Sequence, residues 1–266
     1  MASHPKKQKS GTRPRGPASY RQRTYRHSVD PTGLVSCMVR VGQTDLHILA
    51  SREVTDRAAL LVHQYRSRLE NYIAGHPEFL SALEPLAEDP LAPPLVKAMM
   101  RAAAVAGVGP MAAVAGAIAE FVGRDLLEEG IDEVVIENGG DIYIKRQRDC
   151  IAAIFAGASP LSGRVGVAIA AASMPLGLCT SSGTVGHSLS YGNADAVTVL
   201  ASSTPLADAA ATRLGNEVLA GQPINRALDL AKTIPGLLGV VVVRGAELGG
   251  WGGVELVSIV TSHRGK

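Results

Sequence analysis

Aromatic residues are scarce in this 266-residue chain, where Phe, Trp and Tyr together make up 4%. Proteins that bind single-stranded nucleic acid without sequence preference stack the bases on aromatic side chains, so this composition argues against that class. Apolar residues nevertheless reach 46% of the chain. We therefore expect one sizeable core built mainly from Ala, Val, Leu and Ile.

Cysteine is also sparse, since the chain contains only Cys37, Cys150 and Cys179, without a Cys-x-x-Cys spacing. This number excludes a disulfide framework, argues against a structural zinc site and favours free thiols in a reducing compartment. Cys37 alternates with valines on an expected strand, which predicts a buried structural thiol. Cys179 opens a polar segment and is predicted to be the reactive one.

Long apolar runs are absent as well. No stretch approaches the roughly 18 uninterrupted apolar residues of a membrane span. The first residues lack the apolar segment of a secretory signal. We therefore expect a cytoplasmic protein without a membrane partner.

Acidic residues are missing from residues 1–27, which contain eight Lys or Arg, whereas the rest of the chain has 18 basic and 24 acidic residues. A basic, Pro-, Gly- and Ser-containing segment without an apolar run is typical of a solvated tail. A contact with nucleic acid through this tail is the less favoured alternative. We predict a flexible basic tail over residues 1–27 and a folded domain over residues 28–266.

The hydrophobic periodicity of residues 28–266 predicts an α+β domain with packed helices and mixed sheets. The order helix, strand, glycine turn occurs at 110–145 and again at 205–245, which indicates two related halves. The predicted helices are Thr55–Ile73, Glu78–Leu83, one from Leu95 to about Gly107, Pro110–Gly130, Pro205–Leu219 and Ile224–Thr233. The predicted strands are Leu34–Val41, Leu46–Ala50, Ile131–Ile136, Ile142–Lys145, Ile151–Phe155, Val165–Ala170, one leading into Cys179, Val197–Ala201, Gly239–Val243 and Leu256–Val260.

Three glycine-rich segments could contact a ligand. Gly107–Met111 opens a helix, where free N–H groups and the helix dipole favour an anion, although close helix packing explains its small residues equally well. Glu137–Asp141 (ENGGD) is typical of a hairpin turn, yet Asn138 and Asp141 could read hydroxyls or a base edge. Gly177–His187 (GLCTSSGTVGH) contains four hydroxyls that could form a phosphate nest, whereas the Gly-x-Ser-x-Gly elbow of a serine hydrolase is absent.

A carboxylate and a hydroxyl share one face of the helix predicted after the third segment. Asp208 and Thr212 are four residues apart, and together they could hold Mg²⁺, which prefers oxygen ligands. The alternative is that Asp208 interacts with the helix dipole and that Thr212 is incidental.

Taken together, these strings resemble the ApbE-like superfamily, and more closely a short cytosolic branch of it. The matching strings are GVGPMAAVAGAIAE, ENGGDI, GLCTSSGT followed by His187, and VTVLASSTPLADAAATRLGN, in the family's order. Studied members transfer FMN from FAD to a protein threonine and use magnesium. The resemblance implies a single ApbE-like domain, a flavin nucleotide (FAD or FMN) with Mg²⁺, and an acceptor protein as a partner.

The resemblance assigns Asp208 and Thr212 as magnesium ligands and residues 138–141 as a nucleotide-contacting loop. With His187 as the group that orients or exchanges a proton, the catalytic set is His187, Asp208 and Thr212. The cofactor-binding set is Gly107, Gly109, Met111, Asn138, Gly139, Gly140, Asp141, Thr180, Ser181, Ser182, Gly183 and Thr184.

The chain departs from the family after His187. Secreted members have a His-x-x-Asp-Pro-x-Thr-Gly loop, whereas residues 187–195 read HSLSYGNAD. We therefore expect nucleotide binding with altered or lost transfer activity. The alternative is an accessory protein that binds a small anionic ligand or carries sulfur on a cysteine. The oligomeric state is left open, a homo-oligomer included.

Overall fold

The computed structural model describes Val29, residues 31–183 and residues 192–259, in which helices cover one face of a large antiparallel sheet. In chain order the elements are β1 (Val35–Val41), β2 (Thr44–Ala50), α1 (Thr55–Gly75), α2 (Glu78–Ser81), α3 (Pro94–Ala106), α4 (Val114–Glu128), β3 (Val134–Asn138), β4 (Asp141–Lys145), β5 (Cys150–Ala153), β6 (Val165–Ile169), β7 (Leu176–Ser181), β8 (Ala196–Ala201), α5 (Thr204–Glu217), α6 (Asn225–Ala231), β9 (Leu237–Arg244), β10 (Glu247–Gly252) and β11 (Glu255–Ser258). The predicted basic tail lies outside the described residues.

The main sheet has eight strands in the order β1-β2-β3-β4-β7-β8-β9-β10, and a second sheet has the order β11-β6-β5. Within the described residues every pair of neighbouring strands is antiparallel, so the sheets are not of the mixed type that the pattern suggested. Strand β11, predicted to complete the main sheet, pairs with β6 in the small one. The α+β class itself is confirmed.

Two related halves follow from the strand order. In the first half, the β1–β2 hairpin leads through helices α1 to α4 into the β3–β4 hairpin. In the second, the β7–β8 pair leads through α5 and α6 into the β9–β10 hairpin. Strands β4 and β7 join the halves in the middle of the sheet.

The central strands of the main sheet, such as β3, β4 and β8, are buried on both faces, because each face has its own apolar core. On β3, Val134 and Ile136 face the core beneath the helices, whereas Val135 faces the core beneath the small sheet. The period of two residues in a strand places successive side chains on opposite faces. A side chain's position in a strand therefore determines whether it can reach the helical layer.

Helix α5 lies close to the sheet because β7 has a glycine beneath it. A Cβ atom built on Gly177 would lie 2.4 Å from the Cα atom of Thr204. Any larger residue at this position would push the start of α5 away from the sheet.

No single helix in the described ranges has both the length and the hydropathy of a membrane span. Only α3 and the Pro110–Glu128 segment taken together reach them, and they are bent by 106° at the break.

Candidate functional site

The carboxylate of Asp208 on α5 lies at the first turn of α4. Its Oδ2 atom accepts a hydrogen bond of 2.9 Å from the backbone N–H of Gly116. A Cβ atom on Gly116 would lie 2.6 Å from the carbonyl oxygen of Thr204, so glycine is needed for this approach of the two helices. Among the described residues, the N–H group of Gly116 at the start of α4 is therefore taken up by the protein's own carboxyl group.

The turn between β3 and β4 lies beside the same helix start. The Nδ2 atom of Asn138 donates to the carbonyl oxygen of Ala115 at 3.0 Å. The backbone N–H of Gly140 donates to Oε1 of Glu137 at 2.8 Å. Gly139 and Gly140 have φ values of +71° and +112°, so the hairpin itself requires both glycines.

A second carboxylate, Asp141, lies under the helices near Asp208. Asp141 is opposite Cys179 in the ladder between β4 and β7 and is buried. Burial raises its pKa well above the usual range, and the negative charge of Asp208 raises it further. Burial also raises the pKa of Asp208 to about 7, against the opposing effect of hydrogen bonds from the Gly116 and Ala115 backbone.

Cys179 is not the accessible thiol that its polar neighbours suggested. It is fully buried in β7, and its Sγ atom is 3.5 Å from the carbonyl oxygen of Thr204. Burial, followed by the charges of Asp141 and Asp208, raises the pKa of the thiol well above its usual value. The prediction was wrong because the strand expected to lead into Cys179 continues to Ser181 and lies in the middle of the main sheet. Cys37 is buried, as predicted.

The third segment contributes less to this site than its composition suggested. The hydroxyl of Thr180 is 2.9 Å from that of Thr198, and strand alternation places this pair on the sheet face opposite the helices. Ser181 and Ser182 are partly exposed, and the Gly183 N–H donates to the carbonyl oxygen of Ala194. Thr184 and His187 lie outside the described residues.

Close packing explains the conformation of the first glycine-rich segment, Gly107–Met111. Gly107 ends α3 with a φ of +73°. A Cβ atom on Gly109 would lie 1.7 Å from the carbonyl oxygen of Ala82, which explains this glycine without a ligand. Met111 is partly buried against the core. Gly109 therefore faces the loop after α2 and not the acidic site. Of the predicted site residues, the structure brings together the Asn138–Asp141 turn, Asp208, and the backbone of Thr180, whose N–H donates to the carbonyl oxygen of Gly140.

The donor set suits Mg²⁺ that a phosphate-bearing ligand helps to hold. Mg²⁺ usually takes one or two protein carboxylates and completes its octahedron with waters and phosphate oxygens. Asp208 and Asp141 are neighbouring carboxyl groups whose raised pKa values show that they resist ionisation when no cation is bound. A bound cation would stabilise both ionised forms by offsetting their mutual repulsion. Thr212 is partly exposed on α5, one helical turn from Asp208. Within the described ranges, no group of three or more His, Cys, Asp or Glu is arranged to hold a metal by itself.

Sequence reasoning missed two parts of the site. The backbone of Ala115 and Gly116 contacts Asn138 and Asp208, and Glu137 supports the turn. The stripe of small residues around Gly116 was a signal for close packing, but it did not indicate which helix would pack there.

The raised pKa of Asp208 predicts a particular dependence of stability on pH. Because the folded pKa of about 7 is above the unfolded value of about 4, the folded state binds the extra proton. The resulting stability is complete below pH 4 and is lost as the pH rises through 7. We expect the melting temperature of the metal-free protein to fall by roughly 5 °C between pH 5 and 8, about 1–2 kcal/mol.

Differential scanning calorimetry in EDTA measures this change. Asp208→Asn should flatten the part of the profile below pH 7 and raise the melting temperature at pH 8. A melting temperature that rises steadily from pH 5 to 8 in the unmodified protein would contradict the assignment.

The chain is an α+β domain of two related halves, with an acidic site where α5 meets the start of α4. The chain belongs to the family whose model is described as "AbpE bacteria", which matches residues 26–234. The predicted resemblance to the ApbE-like superfamily is thereby confirmed.

Archaeal relatives cover most of the chain. A UPF0280 protein of Methanococcus aeolicus is 45% identical over 192 residues, which is 70% of this chain and 77% of that protein. A UPF0280 protein of Methanopyrus kandleri is 42% identical over 223 residues, covering 81% of this chain and 90% of the relative.

The fold is similar to that of a solved structure, the apo form of the flavinyl transferase ApbE of Pseudomonas stutzeri. The TM-score is 0.53 at 16% identity, and the match covers 82% of this chain and 93% of that chain. At this identity the similarity establishes the fold alone.

Proposed function

We propose that this chain binds a flavin nucleotide, FAD or FMN, together with Mg²⁺ at the acidic site between α4 and α5. The observation that carries the proposal is the adjacent pair of carboxylates, Asp208 and Asp141, beside the first turn of α4. Burial and mutual repulsion disfavour the ionised form of this pair. A divalent cation bound to a pyrophosphate would supply positive charge that stabilises the two carboxylates.

Each part of the site has its own role in this proposal. Asp208 and Thr212 would hold Mg²⁺, with Asp141 behind them as a second acidic group. The Asn138–Asp141 turn and the partly exposed Ser181 and Ser182 would contact the nucleotide. Bound Mg²⁺ neutralises negative charge on a pyrophosphate. Gly139 and Gly140 have no Cβ, so a ligand could approach the backbone of the turn closely.

The altered residues after His187 affect the transfer step and not the binding of the nucleotide. In-line displacement requires the acceptor hydroxyl to be held in place, and a misplacement of ~1 Å can cost about 100-fold in rate. The family's Asp-Pro and Thr-Gly are replaced after His187. The carboxylate at the end of this stretch, Asp195, accepts the Gly245 N–H on its Oδ2 atom at 2.6 Å.

We therefore expect FAD to bind while FMN transfer to a standard threonine acceptor is absent or very slow. The experiment is incubation with FAD, Mg²⁺ and a flavin-acceptor domain, followed by in-gel flavin fluorescence, with FAD binding measured in parallel by equilibrium dialysis. Robust labelling that disappears in Asp208→Asn would make the chain an active flavin transferase. Absence of both labelling and FAD binding would refute the proposed function.

The location and state of the cysteines do not favour the sulfur-carrier alternative. Cys37, Cys150 and Cys179 are all buried. A persulfide carrier needs an accessible sulfur of thiolate character, and the pKa of Cys179 is shifted away from that state.

A further inference from the structure

A second cleft opens along α4 beyond the acidic site. Its volume is about 360 Å³, and its lining includes Glu120, Arg124, Glu128, Tyr143, Pro175 and Ser202. The acidic site lies at the first turn of α4, whereas this cleft follows the helix from Glu120 to its last residue, Glu128. The size is within the range of small-molecule sites.

Tyr143, a largely buried residue, lines this cleft. The residue is 3% exposed, and its ring lies against α4, where a Cβ atom on Gly123 would be 2.4 Å from the Cδ1 atom of the ring. Its hydroxyl makes no hydrogen bond to residues 31–183 or 192–259, so it is free to donate to a ligand in the cleft. Burial, and then the charge of Glu120, raise its pKa to about 12, so the hydroxyl remains a donor.

Glu120 places a carboxylate oxygen beside this donor. Its Oε2 atom accepts the backbone N–H of Thr204 at 2.7 Å, which fixes the side chain at the start of α5. Its Oε1 atom is 3.8 Å from the guanidinium of Arg124, beyond hydrogen-bond distance. The Arg124 guanidinium lies 5.8 Å from the centre of the Phe121 ring. The side chain of Glu120 is only 13% exposed, so its remaining oxygen is a largely desolvated acceptor.

The charges around the cleft favour a cation. Two carboxylates, Glu120 and Glu128, face one guanidinium, which leaves a net negative charge. The cleft offers one hydrogen-bond donor, the Tyr143 hydroxyl, and one charged acceptor, the Glu120 carboxylate. Such a cleft is complementary to a ligand that has an ammonium group next to an oxygen atom.

We propose that this cleft is a second binding site, for a small organic molecule that carries a primary ammonium group beside a hydroxyl or carbonyl oxygen. The ammonium group donates to Glu120, with Glu128 at the mouth, and the oxygen accepts a hydrogen bond from Tyr143. Ser202 lies at the rim and offers a further hydroxyl. The site does not depend on the proposed flavin nucleotide function.

The test uses two amines, each paired with a nearly isosteric compound that lacks the amine. D-glucosamine is compared with D-glucose, and L-serinamide with 3-hydroxypropanamide, by saturation-transfer NMR and calorimetry at pH 6.5. We expect at least one amine to bind tenfold more tightly than its neutral partner. Tyr143→Phe, which removes only the hydroxyl, should weaken that binding about fivefold, and Glu120→Gln about tenfold.

Two controls separate this site from the fold and from the acidic site. Glu88→Gln alters an exposed carboxylate paired with Arg101 and should leave amine binding unchanged. Asp208→Asn should also leave it unchanged.

The proposal is overturned if neither amine binds, if the neutral partners bind equally well, or if Tyr143→Phe, shown to be folded by its circular dichroism, binds as the unmodified protein does.

Discussion

Asp208→Asn is expected to weaken FAD binding about 100-fold in the presence of Mg²⁺, on the order of 2.7 kcal/mol. The substitution removes the charge that would hold the cation while keeping the size of the side chain. The amide oxygen of Asn can still accept the N–H of Gly116, so the contact between α5 and α4 is retained. In EDTA the same substitution should leave the affinity for FAD nearly unchanged, because no metal is then lost.

Calorimetric titration of FAD and ADP under both conditions distinguishes a metal ligand from a structural carboxylate. Asp229→Asn is the matched control, since Asp229 is exposed on α6 and paired with Lys232. Equal losses of affinity with and without Mg²⁺ would mean that Asp208 only supports the fold. The higher melting temperature expected for Asp208→Asn at pH 8 makes misfolding a poor explanation of any loss.

The largest expected loss of stability comes from Arg146, a charged residue buried at the end of β4. Its side chain is 2% exposed, and its Nε atom is 3.2 Å from Oε2 of Glu133. A further guanidinium nitrogen donates to the carbonyl oxygen of Thr32 at 3.2 Å, which ties the hairpin to the segment that leads into β1. Arg146→Met would leave the poorly exposed Glu133 carboxylate without this partner, at a cost of about 3–5 kcal/mol.

Urea unfolding followed by circular dichroism measures this loss. Arg101→Met serves as the control, because Arg101 is paired with Glu88 at the surface and such pairs contribute about 0–1 kcal/mol. A loss below 1 kcal/mol for Arg146→Met would show that the buried pair is dispensable.

Local patterns predicted the long elements of the fold well. Helix α1 was predicted over Thr55–Ile73 and extends to Gly75, and α5 was predicted over Pro205–Leu219 and spans Thr204–Glu217. Both segments have a clear helical period, and α5 also has Pro205 in its first turn, signals that act within a few residues. The repeated helix, strand and glycine-turn order also indicated the two halves correctly.

Segments whose structure depends on distant neighbours were predicted poorly. Strand β10 contains three glycines in Glu247–Gly252 and was not predicted, although it pairs with β9 over six residues. Strand β7 was predicted only as far as Cys179, and the Thr and Ser residues that follow were read as a loop, yet the strand continues to Ser181. Strand preference depends strongly on packing, which no local window contains.

The candidate site shows the same division. The turn at Asn138–Asp141 and the helical spacing of Asp208 and Thr212 are local features, and the sequence predicted both. The contact between Asp208 and Gly116 joins residues 92 positions apart, and only the packing of α5 against α4 reveals it. Cys179 was misassigned for this reason, because its burial under α5 depends on that same packing.

The most direct test of the central claim is calorimetric titration of the unmodified protein with FAD and with riboflavin, each in Mg²⁺ and in EDTA. If the acidic site binds the pyrophosphate through Mg²⁺, FAD should bind about 100-fold more tightly in Mg²⁺ than in EDTA, which is the affinity that Asp208→Asn is expected to remove. Riboflavin, which has no phosphate, should show no dependence on the metal. An affinity for FAD that is the same in Mg²⁺ and in EDTA, or no FAD binding in either, would contradict the account.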